Sequence, residues 1–355
     1  MSYIIYAFFL KNFYKFVGNS LKMKHTSIIL LSFLFLITAA CQTSNFTKIN
    51  GEAHGTTYSV VFEGDSEDLT KSELDSLFQA FDLSLSTYIP NSLISRLNRS
   101  DTGMYVDTLF ERMYLTAKTV HEKSSGAFDI TVAPLVNIYG FGYTEKADKI
   151  DTALTDSILQ YVGMHNIYLE NSFLYKYHPL TEIDGNAIAK GLSVDNTADF
   201  LREKGIENFL VEIGGEIVAQ GKKNKRKWIV GIDQPIDGNF EPGAHLQAKI
   251  ALTNKALATS GNYRRFYVED GKKYSHTIDP KTGMPALTNL LSVTIIAPDC
   301  LTADAYATAC MALGLEKSKA LISSLPKLEA YFISSDAEGN FTVDMTEGIK
   351  EMIIE

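Results

Sequence analysis

The sequence predicts an α+β fold of mixed sheets and packed helices, and three observations carry that prediction. Apolar residues at helical spacing (Leu69, Leu74, Leu77, Phe78 and Phe81) mark the first half of the chain. From Phe209 onward the texture turns β-rich, with short branched and aromatic runs between turn residues. No repeat or low-complexity linker follows residue 50, so a single domain over residues 51–355 is expected.

The first 40 residues differ from the rest. They hold four lysines (Lys11, Lys15, Lys22 and Lys24) and no acid, then an apolar run from Ser27 to Ala40, then Cys41. A basic region, a short apolar stretch and small residues before the break describe a secretory signal, whose true start is placed at Met23. Thr38-Ala39-Ala40-Cys41 resembles a bacterial lipobox, which makes Cys41 the lipidation site. The protein is then expected as a membrane-anchored lipoprotein facing the extracytoplasmic, periplasmic side. The competing reading is a transmembrane anchor, but the apolar run is shorter than the roughly 20 residues a bilayer span needs.

Without the four leader lysines the chain has 29 basic and 42 acidic residues, a net charge of −13. That balance excludes a nucleic-acid binder, which needs a basic face. Cys300 and Cys310 are expected as two buried thiols rather than a bridge. The seven histidines form no H-E-x-x-H motif, so zinc has no support.

Taken in order, residues 42–50 read as a polar tether. Thr56–Phe62 reads as a strand entered through a turn at His54-Gly55-Thr56, and 68–83 as a helix leading into a turn-rich loop over 84–92. A second helix is expected from Asp107 to about Lys123, a third over 152–161, and a hairpin around 166–177. Strands follow at 210–213, 217–219, 228–232, 246–252, 266–268, 291–296, 331–333 and 341–343. Helices are expected at 301–314 and 316–324.

Three places carry candidate chemistry. In Ile183–Asp195 (I-D-G-N-A-I-A-K-G-L-S-V-D), Asp184-Gly185-Asn186 supplies turn and N-cap residues, with helix from Ala187. Lys190 in the first turn of that helix, beside unpaired backbone N–H groups, suits a phosphate; the alternative is a capped amphipathic helix with a surface lysine. Asp304 and Thr308 are one turn apart on a helix, a carboxylate and a hydroxyl suited to magnesium. A helix packed through its alanines, with Thr308 bonded to its own backbone, competes with that reading. His276, among polar turn residues, is the histidine best placed for proton transfer, or else a structural partner of the Asp279-Pro280 turn. Lys281-Thr282-Gly283 and Ser324-Leu325-Pro326-Lys327 match penicillin-binding motifs, but in reversed order, without S-D-N, and with a helix-breaking proline.

The remaining signal is cumulative. H-G-T-T-Y-S from His54, F-D-L-S-L-S-T-Y-I-P from Phe81, S-G-A-F-D-I-T-V-A-P from Ser125, the Ile183–Asp195 stretch, V-E-I-G-G-E-I from Val211, A-T-S-G-N-Y from Ala258, S-H-T-I-D-P-K-T-G-M-P from Ser275 and A-D-A-Y-A-T-A-C from Ala303 occur in one order. In that order they resemble the ApbE family, the FAD:protein FMN transferases, over nearly the whole chain from Gly51. The resemblance implies an ApbE-like, T-fold-like catalytic domain. It also implies an enzyme that cleaves the pyrophosphate of FAD with Mg²⁺, passes FMN to a threonine or serine hydroxyl of a partner protein, and releases AMP. Typical partners would be membrane subunits of sodium-translocating NADH:quinone reductase and related electron-transfer complexes. Carried over by position, His54, Tyr88, Ala127, Phe128, Asp129, Asp184, Lys190 and Ile278 would contact FAD. Asp304, Thr308 and the carbonyl of Ala187 would hold the metal, and His276 would assist deprotonation of the acceptor. Two positions depart from the pattern: many members have methionine at the place of His54, and some have an acid at the place of Ala307. FAD hydrolysis to FMN and AMP, or flavin binding without turnover, are the competing functions.

Overall fold

The structure, a computed structural model, describes residues 45–236, 243–262, 266–269, 272–336 and 338–354. Cys41, the leader and Tyr263 lie outside the described residues. The strands are β1 (Phe46–Ala53), β2 (Thr56–Glu63), β3 (Gly103–Tyr105), β4 (Ile167–Glu170), β5 (Phe173–Lys176), β6 (Phe209–Ile213), β7 (Glu216–Gln220) and β8 (Trp228–Asp233). They continue with β9 (Leu246–Leu252), β10 (Lys255–Gly261), β11 (Phe266–Glu269), β12 (Lys272–Ser275), β13 (Leu290–Ala297), β14 (Glu329–Ser335), β15 (Phe341–Met345) and β16 (Ile353–Ile354). The helices are α1 (Lys71–Leu85), α2 (Leu93–Asn98), α3 (Thr108–Lys123), α4 (Ala133–Ile138), α5 (Thr152–Leu159), α6 (Ala189–Glu203), α7 (Cys300–Leu313), α8 (Leu315–Ser323) and α9 (Glu347–Lys350).

Alternation within the strands builds the layers. Phe209, Val211 and Ile213 of β6, Val293 and Ile295 of β13, and Ala330 and Phe332 of β14 face one core. Their neighbours Ile296, Tyr331 and Ile333 face another, together with Ile217 and Ala219 of β7. Successive side chains of a strand point to opposite faces, so these sequences make a sheet buried on both sides. That sheet has eight strands in the order β1-β2-β6-β7-β10-β13-β14-β15, with antiparallel pairing throughout. Residues of α1, α3, α6 and α7 fill the first core. The small sheet β16-β9-β8 supplies Trp228, Val230, Ile232, Ile250 and Leu252 to the second. The α+β expectation holds.

Local rules explain the helix starts. A capping box, Thr70 with Glu73, opens α1, and Asp107 and Asp299 cap α3 and α7. Because α7 is buried on nearly every side, with Ala303, Ala305, Ala307 and Ala309 inaccessible, its alanines serve close packing. Cys300 and Cys310 are free and buried. No helix of the described residues is long and apolar enough to cross a membrane.

The structure departs from the sequence reading at four places. The sheet begins at Phe46, inside the stretch expected as tether, because β1 pairs with β2 along its whole length. Ser92, the last residue of the expected loop, caps the short helix α2, a stretch to which the sequence reading assigns no element. Val132-Ala133-Pro134 opens α4, where proline at the helix start loses no hydrogen bond. Finally, α6 starts at Ala189 with no side-chain cap; Asp184 closes a turn instead, its Oδ1 accepting the Asn186 N–H at 2.8 Å.

Candidate active site

His54, Tyr88, Ala127, Phe128, Asp129, Asp184, Ala187, Lys190, His276, Ile278, Asp304 and Thr308 all line one cleft of about 810 Å³. It is framed by the β1–β2 turn, the loop after α1, the start of α6, the end of β10 and the inner face of α7. The residues named from sequence therefore converge, although they span 254 positions from His54 to Thr308.

The polar centre lies where α6 meets α7. Asp304 is 3% exposed, and its Oδ2 accepts the Gly191 N–H at 2.9 Å. The cap that α6 lacks locally thus arrives from α7. The Thr308 hydroxyl donates to the Ala187 carbonyl at 3.4 Å and lies 3.1 Å from Ser260 Oγ. It faces β10 and the turn before α6, and does not bond back to its own helix as the packing alternative required. Lys190 Nζ pairs with Glu216 Oε1, while Oε2 of that acid is buried without a hydrogen-bond partner.

Glu216 was not singled out from sequence. It opens β7 directly after Gly214-Gly215 and is 1% exposed; an acid at the head of an apolar strand was the available signal. Two buried carboxylates, Glu216 and Asp304, thus face one lysine. Excess buried charge is expensive unless a proton or a cation neutralises it. Burial first, and then the charge of Glu216, pushes the Asp304 carboxyl well above the usual carboxylate range. The donor set consists of carboxylate, hydroxyl and carbonyl oxygens, which fits a hard divalent cation such as magnesium. No cluster of three His, Cys, Asp or Glu exists among the described residues, so neutral oxygens and the ligand's own oxygens would complete the shell.

The apolar end of the cleft is held by groups whose polar atoms point inward. Ala127, Phe128 and Ile278 are buried. Asp129 spends its carboxylate on the Thr131 and Met164 N–H groups at 2.8 and 3.0 Å and on His121, 3.3 Å away, so it shapes the loop. That carboxylate raises the His121 pKa. Asp82 Oδ1 accepts from His54 Nδ1 and Ser193 Oγ donates to Nε2, both at 2.7 Å; this tautomer satisfies both contacts. With Phe78 and Phe81 around its ring, His54 is a clamp between the β1–β2 turn, α1 and α6. Buried Asn98 holds the chain entering Asp184 by bonding both the N–H and the C=O of Ile183. Tyr88, 57% exposed, stands at the rim. His276 is half-buried with its ring 6.3 Å from that of Phe141. The Asp279 turn closes through Lys281 N–H on Oδ1 and Gly283 N–H on its carbonyl.

A family model described as the ApbE family matches residues 54–332. The chain belongs to the ApbE family. FAD:protein FMN transferase of Haemophilus influenzae is 34% identical over 298 residues, covering 80% of this chain and 85% of that one. The FAD:protein FMN transferases of Vibrio cholerae and Escherichia coli K12 are 33% and 31% identical, over 83% and 89% of this chain and 89% and 92% of theirs. The solved ApbE flavin transferase of V. cholerae superposes with a TM-score of 0.76 at 31% identity, covering 87% of this chain and 99% of that one. The apo Pseudomonas stutzeri flavinyl transferase does so at 0.77 and 29%, covering 87% and 97%.

Proposed function

We propose that this chain is a flavinyltransferase that moves FMN from FAD to a hydroxyl of a partner protein and releases AMP. One observation carries the reading: Lys190, the start of α6, Asp304, Thr308 and the Ala187 carbonyl meet in one cleft whose other end is apolar. A pyrophosphate fits the charged end and an isoalloxazine ring the apolar end. Asp304, Thr308 Oγ1 and the Ala187 carbonyl would hold Mg²⁺, and Glu216 adds negative charge beside them. When bound, magnesium neutralises phosphate charge as the pyrophosphate bond breaks.

The chain's own residues supply position and proton transfer. Lys190 turns from Glu216 toward the phosphates, and the positive end of the α6 dipole lies beside the same anion. The acceptor oxygen bonds to the flavin-side phosphorus while the bond to the AMP oxygen breaks, and His276 takes the hydroxyl proton. The acceptor is a threonine or serine exposed on a membrane subunit of an electron-transfer complex such as a sodium-translocating NADH:quinone reductase. Cys41 carries lipid that keeps the enzyme at that membrane, on the extracytoplasmic side.

The test incubates the protein with FAD, Mg²⁺ and an acceptor domain and weighs the acceptor. A gain of one FMN group is expected, lost in Asp304→Ala and slowed with an altered pH profile in His276→Ala. Free FMN and AMP with an unchanged acceptor would make it a hydrolase, and intact FAD a flavin-binding protein.

A further inference from the structure

The chain carries −13 outside its leader, yet five of the six residues from Lys222 to Lys227 are basic, interrupted only by Asn224. They lie in the connection from β7 to β8, strands of two different sheets, and fold it into a short hairpin closed by one bridge. The backbones of Lys223 and Arg226 bond to each other in both directions at 2.9 and 3.0 Å. Asn224 and Lys225 between them have φ of 50° and 68°, the two-residue turn that matches strand twist. The tip is thus a fixed display, and all six residues are exposed. None of the five basic side chains forms a salt bridge among the described residues. An unpaired basic cluster on an acidic protein calls for an anionic partner.

The position of the hairpin says which one. Lys223 Nζ lies 5.9 Å from the ring centroid of Phe46 and 5.8 Å from that of Trp228, and the two rings meet edge to face at 5.8 Å. Phe46 is the first residue of β1, so the cluster sits where the chain enters the domain. Cys41 is five residues upstream, a reach of at most about 18 Å for extended chain. Beside the hairpin, Ile229 of β8 is 62% exposed, and the β8–β9 register puts it on the same outer face as Lys249, which pairs with Gly231. Basic residues rimming an exposed aliphatic side chain suit an interface between headgroups and acyl chains.

We propose that the Lys222–Lys227 hairpin is a docking surface for anionic phospholipid headgroups, acting as a second membrane signal beside the lipid on Cys41. A single acyl chain gives only marginal, reversible membrane binding, and a basic patch is one of the signals that makes it stable. Docking here also fixes which way the domain faces the bilayer. The place of this surface rests on the lipid-anchor reading, but its binding does not need the lipid.

The test uses the chain from residue 41 onward, without its leader, with Cys41→Ser, so that neither the apolar leader nor an acyl chain contributes. Flotation measures partition onto vesicles of phosphatidylcholine alone or with one third phosphatidylglycerol, at low and high salt. The expected result is preferential, salt-sensitive binding to the anionic vesicles. Lys222→Gln, Lys225→Asn and Lys227→Gln, with asparagine chosen to keep the left-handed turn, should each lower that binding about fivefold, and together about a hundredfold, leaving binding to neutral vesicles unchanged. Circular dichroism and FAD turnover in solution should not change, since these side chains lie outside the cleft. Equal binding to both vesicle types, or preference retained in the triple variant, would overturn the proposal. So would tighter binding to immobilised polyglutamate than to anionic vesicles at matched charge and salt, which would assign the hairpin to an acidic protein. Mass analysis of the wild-type N-terminal peptide tests the lipid on Cys41 separately.

Discussion

Replacing Gly191 by alanine sets two effects of opposite sign against each other. In an open helix position the change would stabilise by roughly 0.5–1 kcal/mol, because glycine loses more backbone freedom on folding. At Gly191 a Cβ would sit 2.4 Å from the Cys300 carbonyl oxygen and 2.8 Å from both the Cys300 carbonyl carbon and Asp304 Cβ. Two of those atoms are backbone of the first turn of α7 and cannot swing aside. Overpacking of this kind costs about 1–3 kcal/mol. Pushing the helices apart also stretches the 2.9 Å bond from Gly191 N–H to Asp304, a contact to a charged group worth roughly 1.5–3 kcal/mol. After the propensity gain is subtracted, the net loss is roughly 2–5 kcal/mol. Urea unfolding at neutral pH measures it, and the displaced Asp304 should lower FAD turnover in the same variant. An unfolding midpoint equal to or above that of the parent protein would show that propensity wins, and the claim of close helix contact would fail.

Glu216→Gln removes a buried, half-partnered charge, so the thermal midpoint should hold or rise while turnover falls about 10–100-fold, as for residues that orient metal ligands; a lower midpoint with full turnover would contradict this. Asp195 is held at about 6 by burial, against 3.8 for the free group. The folded state therefore keeps a proton that the unfolded chain has lost between those values, and stability falls by up to about 3 kcal/mol as pH rises from about 4 to 6. Urea midpoints of Asp195→Asn should lack that fall, and parallel pH profiles would rule it out. His54→Asn tolerates the φ of 53° but cannot reach both Asp82 and Ser193. It should lose about 1–3 kcal/mol in thermal unfolding and raise the KM for FAD more than it lowers kcat.

What was legible depended on how local its cause is. β6, β13 and β14 could be read because each carries branched or aromatic residues on a two-residue period over two dry faces. β1 could not, since an edge strand covers one face only and F-T-K-I-N-G-E-A mixes polar residues into every position that meets water. α2 has six residues, too few to show a helical period. The site followed the same division. Lys190, Asp304 and Thr308 stand in segments whose chemistry shows locally. Glu216, Asn98, Asp82 and Ser193 act through partners distant in sequence: Asn98 through Ile183, 85 residues away, and Ser193 through His54, 139 away. In the sequence they are ordinary strand and helix residues.

The two helices that carry the charged end of the cleft complete one another. Asp304 of α7 accepts the Gly191 N–H in the first turn of α6. Asp195 of α6 accepts the Cys300 and Leu301 N–H groups in the first turn of α7, both at 2.9 Å. Each N-terminus is thus capped by a carboxylate of the other helix, and those open N–H groups would otherwise be buried without partners. Neither helix can slide without breaking a bond in both places, so their register is set by the pair. Asp304 then has one oxygen committed to Gly191 and one left toward the cleft. The reciprocal caps therefore explain how a nearly buried carboxylate keeps one oxygen aimed at the cleft: the fold spends the other oxygen on positioning it.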